Sequence, residues 1–119
     1  RRLMRLGFAA CGQGLAQQVV QLAALAGHRR LLAELVQASA QDPGYPYRAA
    51  DDFLRAAALL CLGRWWLKVL ALSREDDAAP RGKTATACHF FDTVLPGIAH
   101  VEHRIRCARR ALPELDDCD

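Results

Sequence analysis

The chain has 119 residues, of which 52% are hydrophobic and 24% are charged, and its formal net charge is +3 at pH 7. This length predicts one domain with a single hydrophobic core, and the mixture of both charge signs argues against a nucleic-acid-binding protein. Alanine and leucine dominate the hydrophobic residues, so the composition favours helices over strands.

The cysteines and the N-terminal segment bear on the compartment. The five cysteines are odd in number, and a chain with this much hydrophobic core does not need a disulfide framework, so we expect small, buried, free thiols in a reducing cytoplasm. No signal peptide is visible, and three glutamines interrupt the apolar run over residues 15–27, so no membrane span is predicted there. Because the chain opens with Arg1 and not with methionine, we expect a piece of a longer polypeptide.

A first helix is predicted from about Leu6 to Ala26. Residues at alternating steps of four and three form its apolar seam, which is the spacing of a helix face that packs inside a bundle. The members of this seam are Phe8, Gly12, Leu15, Val19, Leu22 and Ala26. Gln17 and Gln21 fall on other faces. A second apolar stripe follows, and we favour a short break at Gly27-His28 over the alternative of one continuous helix from Leu6 to Ser39.

The segment Asp42-Pro43-Gly44-Tyr45-Pro46 separates this region from the next helix, because two prolines around a glycine cannot continue a helix. The next helix is predicted from about Arg48 to Ser73. Its main stripe is Phe53, Ala57, Leu60, Arg64, Leu67 and Ala71, widened by Leu54, Cys61, Trp65 and Leu72. A helix that is apolar nearly all round lies at the centre of a bundle or is shared with a partner.

A polar loop from Arg74 to Gly82 leads to a last helix, predicted from about Lys83 to Ala111. Its core face comprises Ala87, Phe90, Phe91, Val94, Leu95, Ile98, Val101, Ile105 and Ala108. Pro96 removes one backbone donor and is expected to bend this helix near Asp92 and Thr93. Together the patterns predict an all-α antiparallel bundle of three or four helices, forming a single domain over residues 1–119.

Residues with catalytic or metal-binding potential do not combine into a site. His100, His103 and Cys107 share one helix face, but arginines crowd the same stretch, and no CxxC pair is present to complete a zinc site. Cys88 and His89 are neighbours, so on a helix they point about 100° apart and do not form a nucleophile–base pair. We therefore assign no catalytic, cofactor-binding or metal-binding residue to this chain.

Adjacent aromatic residues provide the functional hypothesis that the residues themselves support. Trp65 and Trp66 cannot both face one core stripe, so one of them needs either cover from a basic side chain or a second apolar surface. Tryptophan is enriched at protein interfaces, and the same argument applies to Phe91 beside its neighbour. The candidate interface residues are Leu54, Trp65, Trp66 and Phe91, which would dock the bundle onto another subunit or a missing domain.

Several landmarks stand in a fixed order along the second half of the chain. They are Phe53-Leu54-Arg55, Gly63 with Trp65-Trp66-Leu67, Lys83, Ala87 with Phe90-Phe91, and Leu95-Pro96. Over about residues 49–106 this order resembles the extra C-terminal helical domain of a subgroup of acyl-CoA dehydrogenases. The resemblance implies an accessory domain that packs against the catalytic core of a flavoenzyme and supports oligomerisation.

The resemblance also implies where the chemistry resides. In that family the FAD site, the acyl-CoA tunnel and the catalytic base belong to the preceding core domains, so the parent enzyme is expected to bind FAD and this chain alone is expected to catalyse nothing. Expected partners are those core domains and further copies in a homo-oligomer, with no nucleic acid and no membrane. Arg55 and Lys83 match family positions without a role assigned to them.

Two other hypotheses remain beside this one. The first is a stand-alone helical module for protein–protein interaction or dimerisation, which would use the same apolar residues. The second is a small-ligand pocket between helices, opened by the bend at Pro96.

Overall fold

The computed structural model describes the backbone of residues 2–75 and 81–109 and the side chains of residues 14–72 and 82–109. Within these ranges the chain is all-helical, and no strand is present. The elements are α1 (Arg2–Ser39), α2 (Tyr45–Glu75), α3 (Arg81–His89) and α4 (Ile98–Ala108). A π-helical turn over Phe90–Val94 and a 3-10 turn over Leu95–Gly97 join α3 to α4. The all-α prediction is confirmed, in the form of three helical rods.

Helix α1 is continuous, so the favoured break at Gly27-His28 is wrong and its alternative is confirmed. Apolar contacts on both sides of Gly27 explain the continuity, because Ala24 packs on one core cluster and Leu31 lies in another. Such tertiary packing outweighs the cost of about 1 kcal/mol that an interior glycine imposes on a helix.

The turn between α1 and α2 lies where the prolines predict it. The hydroxyl of Ser39, the last residue of α1, donates to the carbonyl of Leu35 at 2.6 Å. Helix α2 begins at Tyr45, earlier than predicted, because Pro46 falls in its first turn, where a missing N–H leaves no helical bond unmade. Arg48 forms an ion pair with Asp42, and its Nε donates to the carbonyl of Ala108 at 2.9 Å, which ties this turn to the end of α4.

This turn predicts a pH dependence. A hydrogen bond from Arg48 holds the pKa of the Asp42 carboxyl below its ordinary value of 3.8. A carboxyl with a lowered pKa in the folded state stabilises the fold above its unfolded pKa and loses that contribution as the pH falls through the folded pKa. We therefore expect the wild-type chain to lose more stability than Asp42→Asn below about pH 4, measured by urea unfolding at several pH values. The same change in the free energy of unfolding with pH for the two chains would contradict this expectation.

Helix α2 lies between α1 and the rod formed by α3 and α4 and contributes to every core cluster of the described residues. At one end Tyr45 is buried beside Leu31 and Ile105, and its hydroxyl donates to the carbonyl of Ile105 at 3.1 Å. At the other end Leu70 packs against Leu95. This arrangement agrees with the prediction of a central helix.

We call α3, the two turns after it and α4 together the third rod. It buries most of its predicted core face. Phe90, Phe91, Leu95, Ile98 and Ile105 are among the buried residues, whereas Val94 is exposed, contrary to the prediction. Pro96 has no N–H, and the helix adopts a π turn before it, in which the N–H of Leu95 donates to the carbonyl of Phe90. The extra residue in that turn changes the helical register and turns Val94 outward. The predicted helix end at Pro113 lies outside the described residues.

The bundle is elongated, with principal extents of 69 × 24 × 19 Å and a radius of gyration of 19.1 Å. A compact domain of this length would have a radius of gyration of about 13.5 Å. The long rods therefore leave much of their length on the surface. No helix in the described ranges is long and apolar enough to cross a membrane.

Candidate interaction surface

The apolar seam of α1 faces away from the bundle. Leu22 is 64% exposed, and Leu15 and Val19 are exposed to a similar degree, with Ala26 on the same face. The prediction that this seam packs inside the bundle is therefore wrong for its described members, and Phe8 and Gly12 lie outside the described side chains. We call Leu15, Val19, Leu22 and Ala26 the outer stripe of α1.

Two glutamines occupy the inward positions of α1 instead. Gln21 is only 8% exposed, and its Nε2 donates to the carbonyl of Leu60 on α2 at 2.8 Å. Gln17 is also buried, and its Nε2 donates to the sulfur of Cys88 on α3 at 3.4 Å. Gly63 provides the space, because a Cβ at this position would fall on the side chain of Gln21. Contacts with a distant glycine, and not the apolar periodicity, thus set the rotation of α1.

Burial of this inward face costs free energy, because it places polar side-chain atoms away from water. The Oε1 atoms of Gln17 and Gln21 are buried without a hydrogen-bond partner, and each unsatisfied polar atom of this kind costs about 1–3 kcal/mol. Over residues 14–26, helix α1 thus buries amides and exposes leucine and valine, the reverse of what a self-sufficient bundle favours.

Helix α2 also carries apolar residues on its outer face. Leu54 is 69% exposed, and Tyr47, Trp65 and Leu72 share this side of the helix. At a rise of 1.5 Å per residue, the stretch from Leu54 to Leu72 extends over about 27 Å. Single exposed leucines are normal on a protein surface, whereas several large apolar side chains aligned on one helix face indicate an interaction surface.

The two tryptophans separate as the sequence predicts. Trp66 is half-buried and packs on the core cluster that contains Leu70 and Leu95, while the adjacent Trp65 is 60% exposed. Of the four candidate interface residues, Leu54 and Trp65 therefore lie fully on the surface, and Trp66 is shared between the surface and the core.

Phe91 belongs to the core and not to the exposed surface. It is 3% exposed and meets Phe90 edge-to-face, with ring centroids 5.3 Å apart and an interplanar angle of 85°. Both α1 and α2 border this cluster, so two side chains that point about 100° apart can both face inward. The argument for an interface therefore does not apply to Phe91.

An ion pair that the sequence pattern did not predict connects α2 with α4, and only its carboxylate is buried, because the Arg104 side chain is 51% exposed. Asp52 is buried and lies 3.5 Å from the Nε of Arg104, while its Oδ1 has no hydrogen-bond partner. The ring of His28 on α1 contacts the ring of Phe53 on α2, with centroids 4.6 Å apart and an interplanar angle of 37°. These contacts join three rods at one level and have a structural role. Arg55, in contrast, forms an ion pair on the surface, with Asp51 of its own helix at 3.2 Å.

The potential metal ligands do not come together in the described part of the chain, where no group of three or more His, Cys, Asp and Glu side chains could hold a metal ion. His103 Nε2 and Cys107 Sγ lie 3.5 Å apart on the exposed face of α4. Cys61 and Cys107 are free and exposed, contrary to the prediction of buried thiols, whereas Cys88 is half-buried. Lys83 is exposed, and no contact assigns it a role.

A surface cleft of about 350 Å³ is lined by Glu34, Gln37, Ala38, Gln41 and Arg109. Cofactor sites have mostly apolar and aromatic walls, and these predominantly polar side chains do not fit a flavin ring. We therefore assign no flavin to this cleft. None of the lining residues comes from the Pro96 segment, so the cleft does not support the hypothesis of a ligand pocket there.

Comparison with known proteins places the chain in a family. The family model described as "Acetyl-CoA dehydrogenase C-terminal like" matches residues 3–116, which is nearly the whole chain. No curated protein and no solved structure gives a match. The family match extends beyond the landmarks of α2 and the third rod and includes α1. The chain therefore belongs to the acetyl-CoA dehydrogenase C-terminal like family.

Proposed function

We propose that this chain is the C-terminal helical domain of a cytoplasmic acyl-CoA dehydrogenase-like flavoenzyme, where it packs against the catalytic core and supports oligomerisation. Family membership supports the identification of the domain. The apolar side chains on the outside of α1 and α2 support the packing role. In this proposal the core domains bind FAD and carry out catalysis, and the present domain contributes no catalytic residue.

The outer stripe of α1 is the observation that carries the proposal. Complete burial of a leucine or valine side chain contributes about 1.5–3 kcal/mol. Leu15, Val19 and Leu22 are 62–64% exposed, so most of this contribution is not realised in the single chain. Covering all three would yield about 3–6 kcal/mol. That amount is sufficient for a covalently attached domain, because the linkage keeps the effective concentration of its partner high.

The position of the stripe agrees with this arrangement. The dehydrogenase core would precede Arg1 in the parent chain, so the N-terminal half of α1 lies nearest to it along the polypeptide. Residues 15–26 carry three large exposed apolar side chains, whereas the continuation of the same steps, Arg29, Ala33 and Val36, carries only one.

We expect Val19→Glu combined with Leu22→Glu to weaken attachment to the core. The measurement is titration of this chain with the separately produced core domains encoded upstream of Arg1, followed by nuclear magnetic resonance at up to millimolar concentration, because about 3–6 kcal/mol without the covalent link corresponds to a dissociation constant of tens of micromolar to several millimolar. The wild-type chain should bind, and the double variant should bind at least roughly tenfold more weakly, because two carboxylates would lose their hydration at the contact. Gln37→Glu, which adds a charge to α1 outside the stripe, should bind like the wild type. Equal binding by all three chains, or the absence of a dehydrogenase core upstream, would overturn the proposal.

A stand-alone interaction module is the second candidate, and the exposed face of α2 favours it. The two candidates differ in the polypeptide encoded before Arg1, since only the first requires a dehydrogenase core there. They agree that the isolated chain is colourless, and bound flavin in the purified chain would contradict both.

A further inference from the structure

We infer that the outward face of α2 pairs with the same face of a second copy, in an antiparallel arrangement about a twofold axis. This inference deepens the oligomerisation part of the proposed function and rests on it. The apolar and small side chains of the face are Tyr47, Leu54, Ala58, Cys61, Trp65 and Leu72. Asp51 and Lys68 complete a series that follows alternating steps of four and three. We call these eight residues the outer seam of α2.

Each member of the outer seam is exposed in the single chain. The alternating spacing is that of the contact positions in a pair of coiled helices. The inward side of α2 carries a separate set of buried residues, among them Ala49, Ala56, Leu60 and Leu70, which pack within the bundle. Helix α2 thus has one seam for its own bundle and a second, unused seam on the opposite side.

Charge complementarity selects the second copy as the occupant. If the twofold axis passes between residues 59 and 60 of two antiparallel α2 helices, Asp51 of one copy faces Lys68 of the other. The symmetry produces this contact twice, so the two charged residues of each seam are both matched by an opposite charge. A partner without the same charge pattern would leave both of them unmatched in an apolar contact, which is costly.

The sizes of the other side chains match in the same register. Leu54 faces Trp65, Tyr47 faces Leu72, and Ala58 faces Cys61 across the axis. Large side chains therefore meet large ones towards the ends, and small ones meet at the centre, where they allow the two helices to approach closely.

Other pairings of the two seams are disfavoured. A parallel, in-register pair would place Asp51 against Asp51 and Lys68 against Lys68, so like charges would meet in both layers. A shift of the antiparallel pair by one heptad would place Asp51 against Cys61 and leave its charge unmatched. The existing ion pair of Asp51 with Arg55 is on the surface, and such pairs contribute little, so it does not oppose the new contact.

Charge reversal tests the register. In sedimentation equilibrium over a concentration series, we expect the wild-type chain to dimerise. Asp51→Lys alone or Lys68→Asp alone should raise the dissociation constant at least roughly tenfold, because like charges then face each other twice. The combined variant Asp51→Lys/Lys68→Asp should restore dimerisation. Arg55→Glu, which changes a charge beside the seam, should leave the dissociation constant close to that of the wild type. A monomeric wild type, or a combined variant no better than the single ones, would overturn the inference.

Cysteine cross-linking provides an independent measurement on the same chain. The antiparallel register brings Cys61 of the two copies to neighbouring layers, offset by about 4.5 Å along the helix axis, so that a disulfide between them requires an adjustment of the two helices. Diamide, which oxidises two thiols to a disulfide and is itself reduced to a hydrazine, should yield a covalent dimer. In a chain in which Cys11 and Cys118 have been replaced by serine, Cys61→Ser should abolish this product, whereas Cys107→Ser, which removes the other thiol that is exposed among the described residues, should retain it. Retention of the dimer in Cys61→Ser would contradict the twofold pairing.

The outcomes separate this inference from the proposed attachment to the core. The charge reversals lie on α2, and the attachment test changes α1. Failure of the charge rescue with normal binding to the core would overturn only the twofold pairing. Normal rescue without binding to the core would overturn the attachment and leave the pairing supported.

Discussion

Replacement of Phe91 by alanine is expected to lower the free energy of unfolding by about 3–5 kcal/mol. The ring is almost completely buried and packs edge-to-face on Phe90, in the cluster that also contains Leu70 and Leu95. Its removal leaves a cavity between α2 and the third rod. A domain of this size has a total stability of about 5–15 kcal/mol, so the change should be visible as a large shift of the urea midpoint followed by circular dichroism.

Leu54→Ala is the matched control for Phe91→Ala. Leu54 was predicted as an interface residue together with Phe91, but it is exposed on α2, and leucine and alanine differ little in helix propensity. In a dilute, monomeric chain its replacement should change the free energy of unfolding by no more than about 0.5 kcal/mol. Should Phe91→Ala fail to fold, Leu95→Ala provides the same comparison, with an expected loss of about 2–5 kcal/mol. Equal, small effects at Phe91 and Leu54 would contradict the placement of Phe91 in the core.

The second large effect is expected at the contact of Gly63 with Gln21. Gly63→Leu should destabilise the chain by about 1–3 kcal/mol, because the new side chain occupies the position of a buried amide and breaks its hydrogen bond to the carbonyl of Leu60. The gain in helix propensity over glycine offsets part of this loss. Urea unfolding of the single variant gives the net value.

A double-mutant cycle separates the steric term from other effects of Gly63→Leu. In the Gln21→Ala background the same substitution should be neutral or stabilising, because leucine then fills the space that glutamine has left and no amide remains buried without a partner. The expected coupling energy is about 1–3 kcal/mol. Additive effects of the two changes would show that Gln21 does not occupy the space above Gly63, and the account of the rotation of α1 would then fail.

Prolines determine where the helices are interrupted, whereas a glycine inside a helix does not. The prolines around Gly44 do separate α1 from α2, and Pro96 does disturb the third rod, because a missing N–H and a restricted φ act within one helical turn. Gly27 shows the opposite case. Its intrinsic cost is real, but contacts from Ala24 and Leu31 to other helices decide that α1 continues.

The existence of exposed apolar side chains could be predicted from the sequence, but not which residues they would be. The adjacency of Trp65 and Trp66 predicted that one of them would need either cover from a basic side chain or a second apolar surface, and Trp65 is 60% exposed. The same argument failed for Phe91, because two neighbouring rods surround that position. The buried state of Asp52 had no signal in the spacing of its neighbours, and only the approach of Arg104 from α4 accounts for it.

The amino-acid sequence by itself determined the all-helical fold, the interruptions at its prolines and the surplus of apolar surface, because propensity, proline chemistry and composition act locally or add up along the chain. Only the tertiary structure decided which face of each helix is inside. The seam of α1 has the correct period for a core face, yet it lies outside, because Gln21 finds a carbonyl 39 residues further along the chain and a glycine that leaves space for it. Burial depends on such neighbours across the fold, and a periodic pattern within one helix does not contain them.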